Sequence, residues 1–151
     1  MTTDTMTTPA AGRTPVWFWI VAGLALLWEA MGCYAYVSQV SMTEEAMAKL
    51  PAEQVAIWKA MPVWATAAYA IAVWAGLAGA IALLMRRKWA QPLFLVSLLG
   101  VIVQFGWTFL GTDILKTMPI GQSAPFPAFI AAVAALLVWF SGWAGKKGLL
   151  R

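Results

Sequence analysis

Histidine is absent from this chain, and cysteine occurs once, at Cys33. Those two facts remove the common zinc sites and the Ser/His and Cys/His nucleophile pairings. They also remove any intrachain disulfide, so cysteine usage says nothing about the redox compartment. Charge is scarce too: 11% of the 151 residues are Asp, Glu, Lys or Arg, against roughly 25% in soluble domains. Only six are acidic: Asp4, Glu29, Glu44, Glu45, Glu53 and Asp113. No Walker loop, dinucleotide fingerprint or nucleophile elbow is present. A lone acid within the apolar runs, with no metal set and no second acid beside it, is thin equipment for chemistry. No metal, no cofactor and no enzymatic activity are expected.

What the chain has in abundance is apolar surface. Hydrophobic residues make up 62%, where a soluble domain carries about 45–50%. A chain this short has too little interior to hide that surface from water, so lipid must cover the remainder. Four apolar runs stand out, at 16–40, 62–85, 89–111 and 126–144. Each is near or above the roughly 20 residues that a helix needs to cross a bilayer. The expected fold is all-α: a four-span transmembrane helix bundle over 15–145, with a short amphipathic external helical segment at 41–61. The Thr-rich segment 1–14 reads as a disordered tail, and 146–151 as a basic one.

Local signals agree with those boundaries. Pro15, Pro62, Pro92 and Pro127 fall at or near the first turns, where a missing N–H costs little. Trp17, Trp19, Trp64, Trp89, Trp107, Trp139 and Trp143 lie mostly near run ends, as an aromatic belt at the interfaces requires. A Trp-lined ligand cage is the alternative reading of the tryptophan count.

The basic residues set the orientation. With the N-terminus cytoplasmic, Arg13, Arg86, Arg87, Lys88, Lys146, Lys147 and Arg151 all fall inside, and only Lys49, Lys59 and Lys116 outside. The positive-inside rule therefore places both termini in the cytoplasm. The same clustering argues against a nucleic-acid partner, since these charges flank spans and form no basic stripe. Arg13 and the sequence Ala30-Met31-Gly32-Cys33 faintly resemble a cleavable leader. Glu29 interrupts the apolar region, however, and the run outlasts a leader's core of about 7–15 residues. An uncleaved span is expected.

In the external segment, Ser41 and Glu44 fit a capping box. Met42, Ala46, Met47 and Leu50 follow at helical spacing, and Pro51 interrupts before a second apolar patch at Val55, Ile57, Trp58 and Met61. A helical cap lying on the outer interface is expected, either as a plain connector or as a lid over a cavity. Asp113, with Lys116 three residues on, reads as a hydrated span end.

Glu29 is the only carboxylate inside an apolar run. Ionised and unpaired at that depth it costs several kcal/mol, so it is protonated, paired or facing a polar cavity. Helical spacing puts Ala22, Ala25, Glu29, Gly32 and Tyr36 on one face of the first span. Ala65, Tyr69, Ala72, Gly76 and Gly79 share a face of the second, and Ser97, Gly100, Gln104, Thr108 and Gly111 a face of the third. Small, polar stripes in lipid mark helix–helix interfaces. Glu29, Tyr69 and Gln104 lie at comparable depth, so they are expected to meet as an intramembrane polar cluster. That cluster either welds three helices together or handles a proton or substrate. A protonated Glu29 donating to Gln104, with Tyr69 adding a bond, is the expected arrangement.

The stretches WEAMGCYAYVSQVSMTEEAMAKLP and AMPVWATAAYAIAVWAGLAGAIALLMRRKWAQPLFLVSLLGVIVQFGW, which cover most of 28–107, resemble a group of small, generally uncharacterised bacterial four-span inner-membrane proteins. Some of that group carry the label "sugar transporter". The architecture is also similar to the DoxX-like four-helix membrane proteins. The resemblance implies a bacterial cytoplasmic membrane location and carries over no site residues. Beyond the lipid bilayer, a membrane-protein partner or a homo-oligomer is expected. The leading functional reading is an accessory or interaction subunit. The alternative is a small oligomeric transporter or channel for a small solute, using Glu29.

Overall fold

The computed structural model describes residues 14–112, 116, 121 and 124–151. The expected tail over 1–13, and Asp113, lie outside the described residues. Among the described residues the helices given bounds follow in the order α1 Val16–Val40, α2 Glu44–Met47, α3 Ala52–Ala60, α4 Val63–Leu84, α5 Ala90–Gly111 and α6 Pro125–Lys146. Among the described residues there is no strand. Four helices among the described residues, of 25, 22, 22 and 22 residues, are long and apolar enough to cross a membrane. At 1.5 Å per residue they reach about 33–38 Å, enough for a hydrocarbon core about 30 Å thick. A helix satisfies its own backbone groups where no water can. The protein is an all-α, four-span integral membrane bundle.

Helix α4 packs against α1 and α5, and α5 packs against α6. Rings meet across the α1–α6 seam: Trp17 on Phe140 at 6.1 Å, Phe18 on Phe140 at 6.0 Å and Trp28 on Phe129 at 5.4 Å between centroids. The small-residue stripes face inward, with Ala22 and Ala25 of α1, Ala65, Ala72, Gly76 and Gly79 of α4, and Ser97 and Gly100 of α5 all buried. At Gly100 the approach is closest: a Cβ there would stand 2.8 Å from the Ala68 carbonyl oxygen and 2.9 Å from the Ala72 nitrogen. One turn away, the Ser97 hydroxyl donates to the Ala72 carbonyl at 2.6 Å. Interhelical hydrogen bonds in lipid are worth only about 0.6 kcal/mol on average, because the separated helices find other partners. Ser97→Ala should therefore lower the unfolding midpoint in detergent only slightly. A loss of several kcal/mol would show that this bond carries more of the α4–α5 contact than packing does.

One end of the bundle carries the basic residues. Helix α4 ends in a Schellman motif, in which Arg87 N–H donates to Ala82 at 2.8 Å and Arg86 N–H to Leu83 at 3.0 Å. That motif needs a left-handed residue, and Arg86 supplies it at φ 57° in place of glycine. Three bonds hold it there: Arg86 Nε donates to Leu149 O at 2.8 Å, Arg151 N to Arg86 O at 2.6 Å, and Lys88 N to Arg151 O at 2.8 Å. The matching motif at the end of α6 uses Gly148 at φ 75°. The segment after α6 is thereby pinned to the α4–α5 turn.

The opposite end carries α2 and α3, separated at Pro51. Met42, Ala46, Met47 and Leu50 are half-buried while Glu44, Glu45 and Lys49 are exposed. The capping differs from the expected Ser41–Glu44 box. Ser41 is still the C-cap of α1, and its hydroxyl donates back to Val37 O. Thr43, in extended conformation, caps α2 instead by accepting from Ala46 N–H at 3.2 Å. An exposed Lys59–Glu44 pair at 3.7 Å links α3 to α2.

Packing along the bundle is uneven. The basic half holds a solid core in which Phe18, Leu83, Phe94, Leu137 and Phe140 interlock with alanines from all four spans. Toward the cap the spans separate around a void.

Candidate functional site: an intramembrane cavity

The void has a volume of about 410 Å³ and is lined from α1, α3, α4, α5 and α6. That falls within the roughly 300–1,000 Å³ of small-molecule pockets. Trp58 of α3 lines it from the cap side. Trp58 and Gln39 also line a second space of about 180 Å³ under the cap, beside Met47, Lys59 and Thr66. The two side chains thus stand between an inner and an outer chamber. Met31 and Phe126 line the cavity yet are 66% and 68% exposed on the bundle's outer face, which puts its edge at the lipid-facing α1–α6 seam.

Glu29, Tyr69 and Gln104 all line this cavity. Among the described residues, no hydrogen bond joins the three side chains. The expected bond from Glu29 to Gln104 is not made, and the reason is depth. Glu29 is eleven residues in from Val40, while Tyr69 is six in from Val63 and Gln104 seven in from Gly111. At 1.5 Å per residue Glu29 is roughly a turn deeper than its expected partners. It lies abreast of Gly76 instead, so close that a Cβ at position 76 would collide with the carboxyl. Glycine there lets the carboxyl fold against α4, at the floor of the void. Glu29 is 8% exposed.

Around it, Cys33 Sγ donates to Val73 O at 3.3 Å, and the Ser97 hydroxyl hydrogen is committed to Ala72. Tyr69 packs edge-on against Tyr36 at 5.2 Å. Among the described residues, no group of three or more Cys, Asp or Glu is placed to hold a metal ion.

Sequence reasoning did not assign three residues to this site. Gly76 appears in its stripe only as a small residue, with nothing to mark it as the seat of a carboxyl. Trp28 and Trp58 fit no belt position: one sits at midspan beside Glu29, the other in the cap. Their distance from the span ends was the available signal.

The fold and this wall define a multi-pass membrane helix bundle with an acid-floored intramembrane cavity. No protein-family model, curated protein or solved structure matches the chain.

Proposed function

We propose that this chain is a small-solute binder of the bacterial cytoplasmic membrane that serves transport. The observation that carries this reading is the 410 Å³ cavity, lined by Trp58 at one end and sealed at the other by the Phe18–Phe94–Phe140 core. Protein interiors are close-packed, and a void forfeits the dispersion contacts of every side chain that lines it. An accessory or interaction subunit needs no such void; a solute site does. Opening of the Trp58 cap and of the basic-end core in turn would make an alternating-access cycle around this cavity. Membership of the small four-span bacterial group is part of the same proposal.

Purified protein in lipid nanodiscs should show saturable thermal stabilisation by some member of a panel of solutes small enough for the cavity. Reconstituted vesicles should accumulate that solute. Stabilisation with no flux would leave a binder without transport. Absence of both, together with a stoichiometric partner retained in mild detergent, would return the interaction-subunit reading.

The proposal includes the orientation, with both termini cytoplasmic. It rests on Arg86, Arg87, Lys88, Lys146, Lys147 and Arg151 gathering at one end while Glu44, Glu45 and Glu53 occupy the cap. Alkaline phosphatase fused after Arg151 should be inactive and the same enzyme inserted near Ala52 active. The reverse pattern would invert the topology.

A further inference from the structure

We propose that the cavity takes a small organic cation, a substituted ammonium with a compact apolar body. This rests on the solute-binding reading above and names the class of solute.

The first observation is Glu29. It is 92% buried by its 8% exposure and it lines the void; among the described residues no buried side-chain oxygen is left without a partner, so the Glu29 carboxyl keeps its remaining accessible surface toward that space. A carboxylate in that setting lacks the counter-charge that would make its ionised form tolerable. No Lys or Arg lines the cavity to supply one. Empty, the site is tolerable with Glu29 protonated; ionised, Glu29 takes its counter-charge from the occupant.

The second observation is the rest of the wall. Five rings line it: Trp28, Trp58, Tyr69, Phe105 and Phe126. Aromatic faces carry negative potential and hold ammonium groups within about 6 Å of the ring centroid, tryptophan best of all. Ser97 has given its only hydroxyl hydrogen to Ala72 and therefore offers lone pairs toward the void. The acid and the ring faces favour positive charge on the ligand, while the Gln39 and Gln104 amides can serve its polar atoms either way. The apolar remainder of the wall, with Val73, Val101 and Ile130, suits a body that sheds its water readily.

The test compares two ligands of one shape. Phenyltrimethylammonium and its neutral carbon isostere, tert-butylbenzene, are titrated into the full chain in nanodiscs, with empty nanodiscs subtracted. Quenching of tryptophan fluorescence is the signal, since Trp28 and Trp58 face the site. The cation should bind saturably and at least tenfold more tightly than the isostere. Glu29→Gln, checked by circular dichroism for retained helix, should abolish that preference. Trp58→Ala should weaken the cation more than the isostere.

Equal affinities for the two ligands in the unsubstituted protein would overturn the cation assignment and leave the solute-binding reading standing. Saturable binding of neither would overturn both. The unsubstituted comparison decides even if Glu29→Gln fails to fold.

Discussion

Gly32→Trp should abolish saturable solute binding and flux while leaving the bundle folded, with an unfolding midpoint in detergent no lower than that of the unsubstituted protein. Gly32 lines the cavity on α1, one turn from Glu29 toward the cap. A Cβ there would meet only the Val73 Cγ1 at 3.5 Å, an ordinary van der Waals distance. Gly32 is half-buried and lines the void, which gives an indole room to grow into it. It would occupy much of a 410 Å³ space that now lacks contacts across it. In core substitutions, empty volume costs about 24 cal/mol per Å³, so occupying it returns part of that and offsets the strain of insertion. Function and stability therefore move in opposite directions. A variant that still binds would place the solute elsewhere, and a variant that unfolds would show that the void is smaller than it measures.

The second large effect separates two glycines that look alike in the sequence. At Gly100, an added methyl meets backbone: Ala68 O at 2.8 Å and Ala72 N at 2.9 Å. Backbone within a helix cannot rotate aside, so α4 and α5 must move apart and the Ser97–Ala72 bond must stretch. Gly100→Ala should cost about 1–3 kcal/mol of overpacking, more than the ~1 kcal/mol that alanine gains in helix propensity. At Gly76 the added methyl meets only the far end of the Glu29 side chain. That end can swing away from α4 into the cavity. Gly76→Ala should therefore unfold at nearly the same temperature as the unsubstituted protein but bind solute more weakly, because its carboxyl now occupies the space. Thermal unfolding of both variants in one detergent, with the binding titration on Gly76→Ala, reads the contrast. A Gly100→Ala protein as stable as its parent would show that the two helices do not cross there.

How much of this was legible beforehand varies by element. Four spans follow from run length and composition, because lipid imposes one requirement, internal hydrogen bonding, that long apolar stretches can meet only as helices. The inward faces were legible from spacing alone, since Ala22, Ala25, Ala72 and Ser97 fall on their stripes by the 3.6-residue period. The cap helices were legible from Pro51 and the positions of Met42, Ala46, Met47 and Leu50. Its capping residue was not. Ser41 and Thr43 are chemically interchangeable caps, and the choice depends on α1 continuing to Val40 and taking the Ser41 hydroxyl for itself.

The polar residues of the site could be picked out one by one because carboxylates and amides are rare in apolar runs. Their relation could not. Glu29, Tyr69 and Gln104 read as bonded neighbours only when a difference of about one turn in depth is overlooked. The relative axial offset of α1 against α4 and α5 decides otherwise, and packing sets that offset rather than any single helix. Only the tertiary structure puts Glu29 against Gly76, opens a void between it and Gln104, and brings Trp58 down from a separate helix to line it. Periodicity and hydropathy are properties of one segment at a time, and so the sequence determined the membrane bundle. A cavity is a property of the space between segments, which exists only once four of them have settled against each other.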